Sequence, residues 1–412
     1  MANVRNLIRY GLSLAAPASV AAAHFLVQLM VLSLAPPAQF GQFVFLMAAI
    51  QFGYGLSNAL LSTPLTILRA HAPDDTGSAV LLAALNLLFA VAIGVVVLLL
   101  GFLTGGTDGW LLPFSVFAVL AMVRWFGRAF NYAEMRPERA AASDILYAVA
   151  LVAMTGWLYF SGAFDMAMLA AAFVVASLAG LLVLGPAFLQ QHRFGSGLRF
   201  SDYGPIWKDQ SRWTLLGVVT TEFTSNVHIY LVTLLAGAAR FAPMGAASLF
   251  LRPVSLSITS LSQLERPAIS RQIAAGDIRA ALASRRRFHI LLLLAWAATA
   301  VLAAGVWLYA PGLIVKPDYS VSEIGTAVIL YFLIALVLIW QEPNSVTLQA
   351  ARAFRPLAFA SVVSSLFSIA GVLAALAVAP PVYSLLAILA GQVVMALIIA
   401  VHARRWRVNA LA

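Results

Sequence analysis

The chain has 412 residues, 62% of them hydrophobic and only 10% charged, where soluble domains carry roughly 25% charged residues. This composition, with a mean hydropathy of +0.94, excludes a soluble globular protein and makes the bilayer the natural solvent. There is no cysteine, the six histidines form no HxxxH pair, and the net charge of +10 reads as basic cytoplasmic loops. Disulfides, thiol chemistry, metal or other cofactors and nucleic-acid partners are therefore not expected.

A spanning helix needs about 20 mostly apolar residues. Twelve such segments follow one another, at 11–34, 40–68, 78–103, 111–132, 144–161, 166–189, 213–236, 243–264, 289–312, 323–349, 357–379 and 382–402. The first is too long for a signal-peptide core, and no polar domain follows it, so it reads as a retained helix. With both termini placed in the cytoplasm, twenty-two of the 25 basic residues fall at cytoplasmic ends or loops. Only Arg240 and Lys316 fall outside, and Arg252 lies within a span. That bias is the positive-inside signature of a twelve-span membrane protein. The outer loops, such as TGGTDG and KPDYSVS, are too short for an extramembrane catalytic domain, so no enzyme activity is expected. The longest polar stretches, 190–212 and 265–288, are basic and cytoplasmic, and membrane lipid headgroups are their expected contacts.

Twelve spans divide into six and six, giving lobes over 1–200 and 201–412 with an inner linker at about 190–212. LAPPAQFG (34–41) and LAGAARFA (235–242) match at four of eight positions, between the first and second spans of each half. PLTILR (64–69) and PAISR (267–271) recur further on. Six spans per half keep the two halves in one orientation, as in transporters built from parallel repeats.

Several stretches carry a family resemblance. ARFAPMGAASLFLRPVSLSITSLSQLERPAIS (239–270) resembles the seventh-to-eighth helix region of polysaccharide flippases, and AQFGQFVFLMAAIQFGYGLSNALLSTPL (38–65) resembles their second helix. APGLIVKPDYSVSEIGTAVIL (310–330) is similar to their ninth-to-tenth loop, with Lys316 or Pro317 at the usual glycine. LQAARAFRP (348–356) is similar to their Leu-x-Ala-x-Gly-Arg turn, with Ala351 or Ala353 at the usual glycine. The resemblance implies the multidrug/oligosaccharidyl-lipid/polysaccharide exporter superfamily, in its oligosaccharide-flippase branch. It implies an all-α polytopic protein of a prokaryotic plasma membrane, with two six-helix lobes around a central cavity. The implied job is moving a polyprenyl-diphosphate-linked oligosaccharide to the outer leaflet by alternating access, with other polysaccharide-assembly proteins as further partners. A drug or cation antiporter of the same fold is the alternative.

The seventh span carries the candidate cargo residues. Thr214, Thr221, Glu222, Ser225, Asn226 and His228 fall within an arc of roughly 160° on a helical wheel. A charge at bilayer depth costs at least about 2.5–3.5 kcal/mol, so this face meets either a wet cavity or a helix–helix seam. Arg252, followed by Pro253, sits in the eighth span, where Glu222 is the expected neutralising partner. Either the pair holds the lobe together or Arg252 meets diphosphate. Arg124 and Arg128, four apart, either line the inner mouth or snorkel to lipid phosphates. His24 and Gln28 share a face of the first span and would hydrogen-bond sugar hydroxyls, or are satisfied core residues. Glu342-Pro343 suggests a broken tenth helix serving as a hinge or gate, or else an ordinary helix end.

Overall fold

A computed structural model describes residues 2–71, 75–106, 109–190 and 199–411, with side chains described over 16–69, 75–106, 109–190 and 199–410. The linker expected at 190–212 falls partly on residues outside these ranges. Among the described residues the structure is helical throughout, with no strand. This follows from the solvent: in lipid a lone segment satisfies its backbone only by coiling on itself.

The first half runs α1 (Ala2–Leu34), α2 (Pro37–Ser57), a π turn (Asn58–Ser62), α3 (Thr63–His71), α4 (Thr76–Leu103), α5 (Leu111–Ala133), α6 (Pro137–Phe160), α7 (Met166–Val183) and the short α8 (Pro186–Gln190). After α9 (Tyr203–Ile206) and a π turn come α10 (Arg212–Ala236), α11 (Ala238–Ser248), a 3₁₀ turn (Leu249–Leu251), α12 (Arg252–Ala274) and α13 (Ile278–Tyr309). The chain then forms α14 (Val321–Ala350), α15 (Phe354–Val378) and α16 (Ser384–Leu411). Eleven of the resulting segments are long and apolar enough to cross a membrane. The twelfth, α10, is 25 residues long but is diluted by Glu222, Asn226 and His228. This is an all-α polytopic membrane protein of about twelve spans.

Short polar side chains set the helix starts. Asp75, Asp165, Asp277 and Ser320 each accept a backbone N–H of the first turn of α4, α7, α13 and α14. Two sequence expectations need correction. The helices at the spans expected over 243–264 and 289–312 extend into the polar stretch between them: α12 runs on to Ala274 and α13 starts at Ile278, so Arg279 and Arg285 to Arg287 stand on a helix. Arg and Ala are good helix formers, and Asp277 caps the start. The tenth span is not broken at Glu342-Pro343, since α14 continues through Pro343 to Ala350. Pro343 removes one donor, but side chains return others: Asn344 Nδ2 donates to the Trp340 carbonyl (3.3 Å) and Thr347 Oγ1 to the Pro343 carbonyl (2.7 Å).

The helices form two compact units, Met1–Ala35 with Gln42–Val218, and Pro36–Gly41 with Val219–Ala412. In the first, α1, α5, α6 and α7 pack together, and Phe114, Phe117 and Phe173 interlock as tilted and edge-on aromatic pairs. In the second, α12, α13 and α14 close over Val254, Ile269, Phe288, Leu292 and Ile339. The segment Pro36–Gly41 joins this unit through a close backbone approach: a Cβ on Gly41 would overlap the Ala238 carbonyl.

Candidate functional site

In the first unit a carboxylate on α6 gathers two cations from α5. Arg124 and Arg128 are one helical turn apart, so both reach toward the same point. Arg124 Nη1 is 2.7 Å from Asp144 Oδ1, and Arg128 Nε is 3.0 Å from Asp144 Oδ2. Asp144 is fully buried and Arg124 nearly so. Gly180 on α7 makes room, because a Cβ there would stand 3.0 Å from Arg124 Cδ. The Arg124 guanidinium lies 4.1 Å from the centre of the Tyr147 ring, and the Tyr147 hydroxyl is 2.7 Å from His24 Nε2. Arg128 lies over Trp125, which stacks on Tyr54 at 4.5 Å and donates from Nε1 to Asn58 Oδ1. The expectation that Arg124 and Arg128 snorkel to lipid phosphates gives way to this arrangement: Asp144 draws both inward. Two guanidinium groups on one carboxylate leave one excess positive charge, cushioned by aromatic faces. His24 joins this network through Tyr147, and Gln28, one turn along α1, is buried.

In the second unit the polar arc of α10 splits into two stripes. One faces neighbouring helices. Thr220 and Thr224 meet Ser361 and Ser364 of α15, at 2.7 and 3.0 Å, and Ser368 Oγ donates to the Thr224 carbonyl. Ser225 Oγ accepts from Gln392 Nε2 of α16 at 2.9 Å. His228 is buried and lies 2.9 Å from the Tyr331 hydroxyl of α14. The seam alternative therefore describes Ser225 and His228. The other stripe is Glu222, Asn226 and Tyr230, at four-residue spacing. Tyr230 donates to Glu222 Oε1 at 2.6 Å and Asn226 Nδ2 to Glu222 Oε2 at 3.1 Å. The expected Glu222–Arg252 pair does not form, because the partners of Glu222 are these two α10 neighbours.

Arg252 is half-buried and opens α12 directly after the 3₁₀ turn. The chain is helical on both sides of it, from Ala238 to Ala274. Pro253 occupies the first turn, where its missing N–H costs nothing, so the helix interruption lies just before it. The hinge or gate expected at Glu342 and Pro343 falls within the continuous α14. Glu342 accepts from Ser262 of α12 at 2.7 Å and thereby ties α12 to α14.

Sequence reasoning passed over Asp144, Tyr147, Tyr230 and Tyr331. A legible signal existed for Asp144, an acid just inside an otherwise apolar span. The serine stripe of α15 at 361, 364, 365 and 368 has the i, i+3, i+4, i+7 spacing of a helix seam.

No family model matches the sequence, nor does any curated protein. The fold is similar to that of an inward-facing multidrug resistance MATE family transporter of the MOP superfamily, with a TM-score of 0.66 at 13% identity over 98% of each chain. It is also similar to a mutant of the Vibrio cholerae MATE transporter VcmN, with a TM-score of 0.63 at 14% identity over 97% of this chain and 95% of that one. A MOP superfamily transporter from Pyrococcus furiosus, whose binding pocket is described as reversed in polarity and suggestive of a different function, aligns with a TM-score of 0.60. That match has 14% identity over 98% of this chain and 96% of the other.

Proposed function

We propose that this protein is a membrane transporter whose cargo is a polyprenyl-diphosphate-linked oligosaccharide, moved from the cytoplasmic to the outer leaflet by alternating access. The observation that carries the reading is the excess positive charge around Asp144: two inward-turned guanidinium groups share one buried carboxylate. Half-buried Arg252 adds a second cation in the other unit. Guanidinium groups suit diphosphate, whose oxygens they can grip bidentately, and repel cationic drugs. Amide and imidazole groups such as those of Asn226, Gln28 and His24 supply hydrogen bonds of the kind sugars need. Similarity to transporters solved both inward-facing and outward-facing supports alternating access. The Pyrococcus neighbour, whose reversed pocket polarity suggests a different function, supports the idea that function within this fold follows pocket polarity. A prokaryotic plasma membrane with both termini cytoplasmic agrees with the distribution of Lys and Arg.

A drug or cation antiporter is the second reading. The Glu222–Asn226–Tyr230 stripe favours it, since a partly buried carboxylate is what cation coupling requires. Mass spectrometry of membrane lipids from cells lacking the gene separates the two. Accumulated polyprenyl-diphosphate oligosaccharide with reduced surface glycan supports the flippase. Unchanged lipids with new sensitivity to cationic drugs overturn it in favour of the antiporter.

A further inference from the structure

The second unit contains a cleft of about 560 Å³ that the cargo reading does not use. One wall is a stripe of α13 bearing Arg285, Arg286 and His289, and the other is a stripe of α14 bearing Trp340, Pro343 and Asn344. Spacings of three and four residues put each set on one helix face. Arg285 Nη1 donates to Asn344 Oδ1 at 2.6 Å, while its buried Nε has no hydrogen-bond acceptor among the described residues. Neither Arg285 nor Arg286 has an ion pair among the described residues. The nearby carboxylates are committed elsewhere, Glu265 to Arg287 and Glu342 to Ser262. Arg407 of α16 stands close enough to act on Arg285 as a like charge. The cleft thus holds clustered cations and a waiting donor, with no carboxylate among its described lining residues.

The same two stripes continue as exposed apolar side chains. Ile290 and Leu294 follow Arg286 at four-residue steps on α13, and Leu336 and Leu333 precede Trp340 on α14. A ligand that satisfies both features has an anionic head and apolar tails. A half-exposed tryptophan beside arginines is the composition of a membrane–water boundary, and the basic end lies on the cytoplasmic side by the positive-inside bias.

We propose that this cleft binds the phosphate of an anionic glycerophospholipid of the inner leaflet, through Arg285 and Arg286, with its acyl chains along Ile290, Leu294 and Leu336. The site stands whatever cargo the protein moves. The test is native mass spectrometry of the purified full chain in detergent, titrated with phosphatidylglycerol, phosphatidylcholine or inorganic phosphate. The expected result is preferential retention of phosphatidylglycerol, reduced at least about tenfold in R285Q/R286Q and unchanged in R404Q/R405Q, which removes two exposed arginines outside the cleft. Should R285Q prove unstable, R286Q alone is expected to weaken retention. In that case quenching of Trp340 fluorescence by brominated phosphatidylglycerol, with W340F as the blank, gives an independent reading. Equal retention of both lipids, no loss in R286Q, or equal loss in R404Q/R405Q overturns the proposal as diffuse charge attraction. Displacement of the lipid by millimolar inorganic phosphate overturns the lipid assignment in favour of a simple anion site.

Discussion

Asp144 is the residue on which the first unit's polar interior depends. It neutralises one of two guanidinium groups that would otherwise sit in an apolar surround. Removing one partner of a buried ion pair strands the other and costs about 3–5 kcal/mol. Asp144→Asn is therefore expected to lower the thermal midpoint in detergent sharply, whereas adding Arg124→Gln to Asp144→Asn should restore part of the loss. Two single variants whose effects simply add would show that the groups do not act as a pair. Asp75 makes a different prediction because it lies at the membrane edge. Its carboxylate accepts the Ser78 backbone N–H, which holds its pKa below the usual carboxylate range. A group depressed in the folded state contributes stability that is present above its unfolded pKa and is lost as pH falls through its folded pKa. Stability should thus decline as the solution is acidified below about pH 4, and Asp75→Asn, which still caps, should flatten that slope. Asp75→Ala should cost about 1 kcal/mol at neutral pH. An unchanged acid slope in Asp75→Asn would remove Asp75 as its source.

Between residues and the whole lie the places where helices touch. Gly41 is tested most directly, because a side chain there must displace the Ala238 backbone rather than a flexible side-chain end. Gly41→Val should destabilise by about 1–3 kcal/mol or more, read as lost folded yield and a lower melting temperature, whereas Gly217→Ala, in open space, should not. A normal melting temperature for Gly41→Val would mean that Pro36–Gly41 does not pack where described. The spans themselves were largely legible from the sequence. Bilayer thickness sets their length and a lone segment must bond its own backbone, so local apolar runs suffice. What escaped depends on distance along the chain. Nothing local to Arg124 tells that Asp144, twenty residues on, will turn it inward. Nothing local to Glu342-Pro343 tells that Ser262 on α12 and Arg285 on α13 will bond to α14 beside its proline. The helix ends within 265–288 escaped because its charges stop the apolar run, while Arg and Ala continue the helix. On α10 the wheel placed Glu222 and His228 on one arc, but only packing decides which of them faces α14.

If the proposed transport function holds, the decisive question is whether the interior cations serve the cargo or only the fold, and Arg252 separates the two best. Arg124 and Arg128 are bound up with Asp144, so their loss would confuse stability with transport. Arg252 lies in the other unit and takes no part in the Asp144 ion pairs. If it grips a diphosphate, Arg252→Ala removes a charge-assisted hydrogen bond that contributes about 1.5–3 kcal/mol, a tenfold to hundredfold loss of transport at equal protein level. Arg252→Lys then discriminates further. A lysine retains the charge but not the planar fork, so bidentate recognition predicts only partial rescue, while simple charge attraction predicts nearly full rescue. Glu222→Gln completes the comparison. Glycan export should survive it, because amide oxygens can still accept from Tyr230, whereas a cation antiporter would lose its coupling group. The measurements are surface glycan and accumulated lipid-linked oligosaccharide in cells carrying each variant, normalised to membrane protein. Normal export in Arg252→Ala together with failure in Glu222→Gln would invert the assignment and make this a cation-coupled transporter.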